Sequence, residues 1–198
     1  MDRYFIERFL EAQAADIRGR VLEIGEDTYT RRFGGSRVRR RDVLHLWPEP
    51  QATIVADLTA ADAIPDATFD CFIMTQTLPF IFDVRAALRH AHRILKPGGV
   101  LLLTVPGISQ VSRYDADRWG DYWRFTPQAV QRLLEEHFSA EAVRIATYGN
   151  VRVAAALLDG LAQEDLEPGV LDPVDPDYPV LMTARAVRTE RGRRGAES

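Results

Sequence analysis

Two stretches decide the fold, Val21-Leu22-Glu23-Ile24-Gly25 and Leu95-Lys96-Pro97-Gly98-Gly99-Val100-Leu101-Leu102-Leu103-Thr104-Val105-Pro106. The first is an apolar run that ends in an acidic residue and a glycine, as a buried strand before a tight turn does. In the second, a helix must stop at the Pro-Gly-Gly turn, and a continuously apolar strand follows. Together they predict an α/β domain built around buried strands.

Strands and helices alternate from residue 20 onward, which predicts a mostly parallel sheet covered on its faces. The predicted strands are residues 21–24, 43–46, 52–56, 69–74, 101–105, 142–148 and 179–187. The predicted helices are residues 1–18, 28–33, 84–95, 127–137 and 151–161. Only residues 47–51 join the second and third strands, and Pro48 and Pro50 forbid a helix there. One sheet face should therefore be thinly covered, and self-association as a homodimer would cover it.

Length and composition predict a single domain, residues 1–187, followed by a disordered basic tail, residues 188–198. The net charge of −4 gives no electrostatic reason to expect a nucleic-acid partner. The single cysteine, Cys71, excludes an internal disulfide and fits a reducing compartment. With no leader or spanning segment in the sequence, we expect a cytoplasmic protein without membrane contact.

The two opening stretches, about seventy residues apart, resemble the first and fifth strands of class I S-adenosylmethionine-dependent methyltransferases. The most specific match is residues 93–99, Arg-Ile-Leu-Lys-Pro-Gly-Gly, and Phe69-Asp70 before an apolar run matches the fourth strand. The resemblance covers residues 21–187. It implies a doubly wound, Rossmann-like sheet of seven strands, mostly parallel with an antiparallel last strand. It also implies S-adenosylmethionine as cofactor and methyl transfer as the reaction.

The same resemblance implies a cofactor site. Glu23-x-Gly25 matches the start of the family's Glu-x-Gly-x-Gly-x-Gly motif, and Asp57 matches the acid that faces the adenine. Gln76 falls where the family lines the sulfonium and methionine end. The implied cofactor-binding set is Glu23, Gly25, Glu26, Asp27, Trp47, Asp57, Leu58, Gln76 and Thr77.

The sequence departs from the family pattern at three positions. Asp27 and Tyr29 replace later glycines of the first motif, which should make that loop stiffer. Trp47 stands where the family places an acid that holds the ribose. Two alternatives follow from this last departure: Glu49 replaces the acid, or Trp47 stacks on the adenosine.

An aromatic segment, residues 119–127 (Trp-Gly-Asp-Tyr-Trp-Arg-Phe-Thr-Pro), ends the long loop of residues 107–125 after the fifth strand. With Tyr148-Gly149-Asn150 it resembles methyltransferases that accompany glycosyltransferases in bacterial glycan assembly. We expect this loop to bind the acceptor, although its aromatic side chains could equally pack the loop onto the domain. The implied substrate residues are Tyr114, Trp119, Trp123 and Arg124.

A hydroxyl acceptor needs a base to take its proton, and Asp121 is the first candidate, with Tyr122 second. His90 and His92 lie two apart on a helix, so they cannot share a metal and should face solvent. We therefore expect no metal site. His45 should be either packed or close to the cofactor.

The sequence favours S-adenosylmethionine-dependent methyl transfer, with O-methylation as the favoured type, to a small hydroxylated acceptor such as a sugar or glycoconjugate. The alternative is a non-catalytic binding or assembly protein on the same scaffold, suggested by Asp27, Tyr29 and Trp47. A nucleic-acid methyltransferase is disfavoured by the acidic charge balance.

Overall fold

The computed structural model describes residues 1–189, and most of the expected basic tail lies outside the described residues. The helices are α1 (Asp2–Ala12), α2 (Val84–Ile94), α3 (Arg113–Trp119), α4 (Pro127–Glu135) and α5 (Val151–Leu158). The strands are β1 (Gly19–Ile24), β2 (Val38–His45), β3 (Ile54–Val55), β4 (Phe69–Thr75), β5 (Leu95–Pro106), β6 (Val143–Tyr148) and β7 (Leu181–Val187).

The seven strands form one sheet in the order β3-β2-β1-β4-β5-β7-β6. Only β7 among them runs antiparallel to its neighbours, β5 and β6, and this confirms the predicted doubly wound sheet. The chain leaves β1 toward β2 and β3, then returns to place β4 on the other side of β1. This reversal puts a crevice beyond the carboxyl ends of β1 and β4.

Both faces of the sheet are packed, because successive side chains of the central strands point in opposite directions. Phe72 and Met74 of β4 join the cluster under α2 and α4, whereas Cys71 and Ile73 join the cluster under α1. Burial raises the pKa of the Cys71 thiol, which therefore stays protonated and unreactive.

Several element bounds differ from the predicted ones. β2 begins at Val38, five residues earlier than expected, and β3 is reduced to two residues. The link between them contains no helix, in agreement with the presence of Pro48 and Pro50. Val55 on the edge strand is 49% exposed, and its burial in a homodimer stays a prediction.

Two other expectations need correction. The predicted loop of residues 107–125 contains α3, whose Ser112 cap accepts a hydrogen bond from the Asp115 N–H. The prediction that His90 faces solvent is wrong, because this side chain is only 3% exposed. The reason is that the turn after β3 covers this side of α2. Arg93 of α2 holds the turn in place by donating hydrogen bonds to the carbonyls of Ala61 and Ile64.

The predicted turn at residues 96–99 is held from two sides. The Gly98 N–H donates to the Arg188 carbonyl (2.7 Å), and the Arg188 N–H donates to the Gly99 carbonyl (2.9 Å). The pairing of β5 with the last strand therefore continues one residue beyond the expected domain end at residue 187.

Two neighbouring glycines in this turn allow a stability test. Gly98 has φ +77° with open space around the position that a Cβ would take, so Gly98→Ala should cost about 1–2 kcal/mol from backbone conformation alone. A Cβ on Gly99 would lie 2.8 Å from the Lys96 carbonyl oxygen and 3.0 Å from that of Phe69. Gly99→Ala should therefore lower the unfolding free energy further in urea denaturation. Equal losses for the two variants would contradict this account.

Candidate active site

A crevice of about 220 Å³ lies where β1, β2 and β4 end, at the predicted edge of the sheet. Much of its wall is apolar, and its polar groups come from the turns that follow the strands. Its lining residues are Ile24, Gly25, Leu44, His45, Leu46, Ala56, Asp57, Leu58, Gln76, Thr77, Phe80, Ile81 and Trp119. Five of the nine sequence-predicted cofactor residues are in this set.

Gly25 forms the floor of the crevice at the end of β1. Its φ of +82° favours glycine, and apart from the adjoining residues of the chain no heavy atom of residues 1–189 lies within 4 Å of the position that a Cβ would take. The turn is anchored from behind, because the Gly25 N–H donates to the Leu44 carbonyl (3.0 Å) and Gln51 Nε2 donates to the Gly25 carbonyl (3.3 Å). A ligand can therefore approach this backbone closely.

Glu23 supports the turn from below and does not line the crevice. Its carboxylate accepts hydrogen bonds from the N–H groups of Tyr29 (3.0 Å) and Thr30 (2.7 Å). The side chain is buried, which raises the pKa of Glu23, while these hydrogen bonds oppose the rise. Glu23 thus fixes where the helical turn after β1 begins.

The other residues of the first motif point away from the crevice. Asp27 forms ion pairs with Arg31 (2.6 Å) and Arg41 (3.2 Å), and Glu26 accepts a hydrogen bond from Thr28 (2.9 Å). Tyr29 packs beside Phe33 on the far side of the sheet, with ring centroids 6.3 Å apart. The departures at residues 27 and 29 therefore leave the crevice open.

The polar groups after β3 and β4 face the crevice. Asp57 Oδ1 accepts hydrogen bonds from the N–H and hydroxyl of Thr59, both at 2.8 Å, while its Oδ2 has no partner among residues 1–189. Gln76 has the unusual φ of +48°, and its Oε1 is buried without a hydrogen-bond partner. A buried acceptor without a donor is costly, so a ligand with a donor group fits here.

An aromatic group made of His45, Trp47 and Trp119 closes the outer side of the crevice. The Trp47 and Trp119 rings lie 4.6 Å apart, and His45 meets Trp119 edge-on at 5.8 Å. Trp119 and His45 line the crevice, whereas neither Trp47 nor Glu49 does. The sequence predicted that Trp47 would contact the cofactor. In the structure Trp119 of α3 lines the crevice instead, and Trp47 packs against it.

A second cavity, of about 300 Å³, adjoins the crevice through Gln76 and Phe80, which line both. We call it the acceptor cavity. Its remaining lining residues are Asp2, Pro79, Pro106, Ser109, Gln110, Ser112, Asp115, Asp121, Arg124 and Leu157. Sequence reasoning missed Asp2, Ser109 and Asp115, because only the folded loop and α1 bring them to Gln76.

Asp121 is held in an ion pair at the wall of the acceptor cavity. Its two oxygens accept hydrogen bonds from Arg124 Nη1 (2.5 Å) and Nη2 (2.9 Å), and Oδ2 also accepts from the Ser112 N–H (3.1 Å). The Arg124 hydrogen bonds lower the pKa of Asp121, although burial opposes them. Arg124 also donates to the carbonyls of Ser109 and Gln110, which ties the whole loop together.

The remaining predicted substrate residues, Tyr114 and Trp123, lie outside both cavities, and so does Tyr122, the second candidate base. Tyr114 is exposed under the Arg118 guanidinium, and Tyr122 packs edge-on against Phe82. Trp123 Nε1 donates to the Ile81 carbonyl (3.1 Å), so this ring packs the loop onto the core.

Within residues 1–189 there is no group of three or more His, Cys, Asp or Glu side chains placed to hold a metal. No described helix is long and apolar enough to cross a membrane.

Comparisons with known proteins agree with the fold. Residues 10–103 match the methyltransferase domain family. A methyltransferase from Archaeoglobus fulgidus that depends on S-adenosylmethionine superimposes with a TM-score of 0.61 at 12% identity, covering 93% of this chain and 94% of that one. A Mesorhizobium loti methyltransferase gives a TM-score of 0.57 at 17% identity, covering 90% and 95% of the two chains. The family match and the fold together identify a class I S-adenosylmethionine-dependent methyltransferase domain in this chain.

The curated relatives of this methyltransferase chain are larger proteins. A segment of polyketide synthase ThaG from Burkholderia thailandensis is 33% identical over 146 residues, which is 70% of this chain and 3% of that protein. The ubiquinone/menaquinone biosynthesis C-methyltransferase UbiE from Pectobacterium atrosepticum is 28% identical over 139 residues, 68% of this chain and 50% of that protein. The chain thus spans at most half the length of these relatives.

The cofactor of this family is S-adenosylmethionine, and the chemistry of the residues that line the crevice suits it. The open floor at Gly25 admits a ligand close to the backbone, and the unpartnered Oε1 of Gln76 accepts a donor. The Asp57 Oδ2 atom is an acceptor suited to an exocyclic amino group.

Replacing Glu23 tests the support beneath this site. In Glu23→Gln, one of the two backbone N–H groups would face an amide NH₂ and lose its acceptor. We expect a loss of about 1–3 kcal/mol in unfolding free energy, measured by urea denaturation. The matched control is Glu26→Gln, which changes a carboxylate outside the core on the same turn and should leave stability unchanged. Equal stability of both variants would show that Glu23 does not organise the turn.

Proposed function

We propose that this methyltransferase transfers a methyl group to a small hydroxylated acceptor, a sugar or glycoconjugate, held in the acceptor cavity. The observation that carries the proposal is that the cofactor crevice and the acceptor cavity share Gln76 and Phe80. Gln76 occupies the position at which the family resemblance places the sulfonium end. When bound, S-adenosylmethionine supplies an electrophilic methyl group at the boundary between the two cavities.

The chain's own residues would hold the cofactor in distinct ways. We assign Asp57 Oδ2 to the adenine amino group, and Leu58 to the adenine face. Gly25, Gln76 and Thr77 would contact the methionine end. Small-molecule sites usually measure about 300–1,000 Å³, and the crevice is smaller at about 220 Å³. We infer that α3, which carries Trp119, moves outward to admit the cofactor.

The acceptor cavity offers hydrogen-bonding groups for hydroxyls. Ser109 and Gln110 supply polar groups beside Pro106, and two carboxylates, Asp2 and Asp115, lie on its wall. No ion pair or hydrogen bond engages the Asp115 carboxylate within residues 1–189. We therefore propose Asp115 as the base that takes the proton of the acceptor hydroxyl.

Asp121 fits a different role from the one the sequence suggested. Its ion pair with Arg124 lowers its pKa and occupies both oxygens, which makes it a weak base. We assign Asp121 to positioning the acceptor loop. Tyr122, whose ring packs on Phe82 outside both cavities, has no acceptor-facing contact that supports a catalytic role.

A carbon acceptor is a second candidate. Two observations favour it: the matched relatives include a polyketide synthase and a C-methyltransferase, and much of the crevice wall beside the acceptor cavity is apolar. Asp115 would then take a proton from carbon. Assays with labelled cofactor across nucleotide sugars and β-ketothioesters, followed by NMR of the product, distinguish a methyl on oxygen from one on carbon.

Cofactor binding is the first test, because it separates the enzyme from a non-catalytic scaffold protein. We expect S-adenosylhomocysteine to bind in calorimetry and Asp57→Asn to weaken it about tenfold, or ~1.4 kcal/mol. The amide retains the Thr59 contacts but places a donor opposite the adenine amino group. Asp62→Asn, at an exposed neighbouring carboxylate outside the crevice, is the matched control and should bind normally. If neither S-adenosylmethionine nor S-adenosylhomocysteine binds at millimolar concentration, the enzyme proposal fails.

Substitutions of two aspartates on α3 test the assignment of Asp115 as the base. Asp115→Asn should lower kcat about 10²–10⁴-fold because the acceptor proton loses its base, with cofactor affinity unchanged. Asp117→Asn changes an exposed carboxylate two residues along the same helix and should leave kcat unchanged. If Asp121→Asn lowers kcat in this way while Asp115→Asn does not, Asp121 is the base after all.

A further inference from the structure

A large cavity of about 650 Å³ lies at the opposite edge of the sheet from the crevice. It forms where β1, β2, β4 and β5 begin, and it shares no lining residue with the crevice. Gly19 at the start of β1 lines this cavity, whereas Gly25 just after the end of β1 lines the crevice. Since a strand rises about 3.3 Å per residue, the two sites lie about 20 Å apart. We call this second region the basic cavity.

Positive charge dominates the basic cavity. Its charged lining residues are Arg18, Arg37, Arg39, Lys96 and Asp70. The single carboxylate is already engaged, because Asp70 Oδ2 accepts hydrogen bonds from the Arg20 N–H (2.7 Å) and the Lys96 ammonium (2.8 Å). An excess of three positive charges therefore faces one cavity in a chain whose net charge is −4.

None of the three arginines forms an ion pair with a carboxylate of residues 1–189, although Arg18 lies close enough to Asp70 to attract it electrostatically. Other arginines of the chain do pair with acids, as Arg185 does with Asp16 at 2.7 Å. Arg37 instead donates to the backbone carbonyls of Ala14 (3.2 Å) and Phe33 (2.5 Å), which anchors it beside the cavity. Arg18 and Arg39 are exposed and make no hydrogen bond or ion pair with the described part of the chain.

We propose that the basic cavity binds a small molecule with two linked phosphoryl groups, such as the diphosphate of a nucleotide. The guanidinium fork matches phosphate oxygens, and a multiply charged anion would offset the local excess of positive charge. The cations come from three separate segments: residue 18, residues 37–39 and residue 96. Two linked phosphoryl groups can reach more of these cations than a single phosphate can.

The shape of the cavity agrees with this ligand class. Its volume of about 650 Å³ lies within the range of about 300–1,000 Å³ for small-molecule sites. One wall is the turn Pro97-Gly98-Gly99, and apart from the adjoining residues of the chain no heavy atom of residues 1–189 lies within 4 Å of a Cβ position on Gly98. A phosphoryl group can thus approach the backbone of this wall closely at Gly98. This inference is independent of methyl transfer.

Calorimetry on the full chain at about 0.15 M salt tests the proposal with pyrophosphate, ADP and inorganic phosphate as probes. We expect pyrophosphate and ADP to bind at least tenfold more tightly than phosphate. The double variant Arg18→Gln/Arg39→Gln should weaken the binding of both at least tenfold, because it removes two exposed guanidinium groups that make no hydrogen bond within residues 1–189. Arg132→Gln, at an exposed arginine on α4, is the matched control and should bind like the wild type. Thermal melts check that each variant is folded.

Three outcomes would overturn the proposal. The first is equal affinity for phosphate and pyrophosphate, which would indicate general attraction of anions. The second is unchanged pyrophosphate affinity in the folded double variant. The third is tighter binding of an RNA oligomer than of pyrophosphate or ADP at the same salt, which would indicate a polyanion surface.

Discussion

A buried carboxylate at the end of β1 holds the crevice in shape. Glu23 lies between Val43 of β2 and Ile73 of β4 in the sheet and is 2% exposed. A charge in this position is tolerated because the N–H groups of Tyr29 and Thr30 satisfy one oxygen each. The same two bonds fix the start of the next helical turn, and Gly25 is left as an open floor between strand and turn.

The outer wall of the site rests on weaker interactions. None of the side chains of α3 is buried, so its position depends on its Ser112 cap and on the loop that Arg124 ties to Asp121. Segments with few buried apolar contacts open at low free-energy cost. The turn at Gly25 is rigid, whereas α3 is held loosely. This combination suits a site in which α3 moves outward when a ligand enters.

Much of the fold could be predicted from the sequence, because the buried strands β1, β4 and β5 are continuous apolar runs. The first half of β2 was missed because residues 39–41 are all arginine. Their side chains are exposed, so the sequence shows no apolar pattern that would predict a strand there. α3 was missed because its residues have no apolar periodicity. In the site, residues that directly follow strands, such as Gly25 and Gln76, were placed by motif. Asp115 was missed, and Trp119 was assigned to the acceptor but lines the crevice, because the path of a loop decides what these residues face.

The parallel sheet also separates two regions of unlike charge. The acceptor cavity has Asp2 and Asp115 on its wall at the carboxyl edge, while Arg18 and Arg39 face the basic cavity at the amino edge. Occupants of the two cavities cannot touch across about 20 Å of sheet. Any coupling between them would pass most directly through β4 and β5, because Asp70 and Lys96 at the start of these strands line the basic cavity, whereas Gln76 and Pro106 at their ends line the acceptor cavity. Both strands are buried in mid-sheet, so they would transmit a displacement only as rigid units.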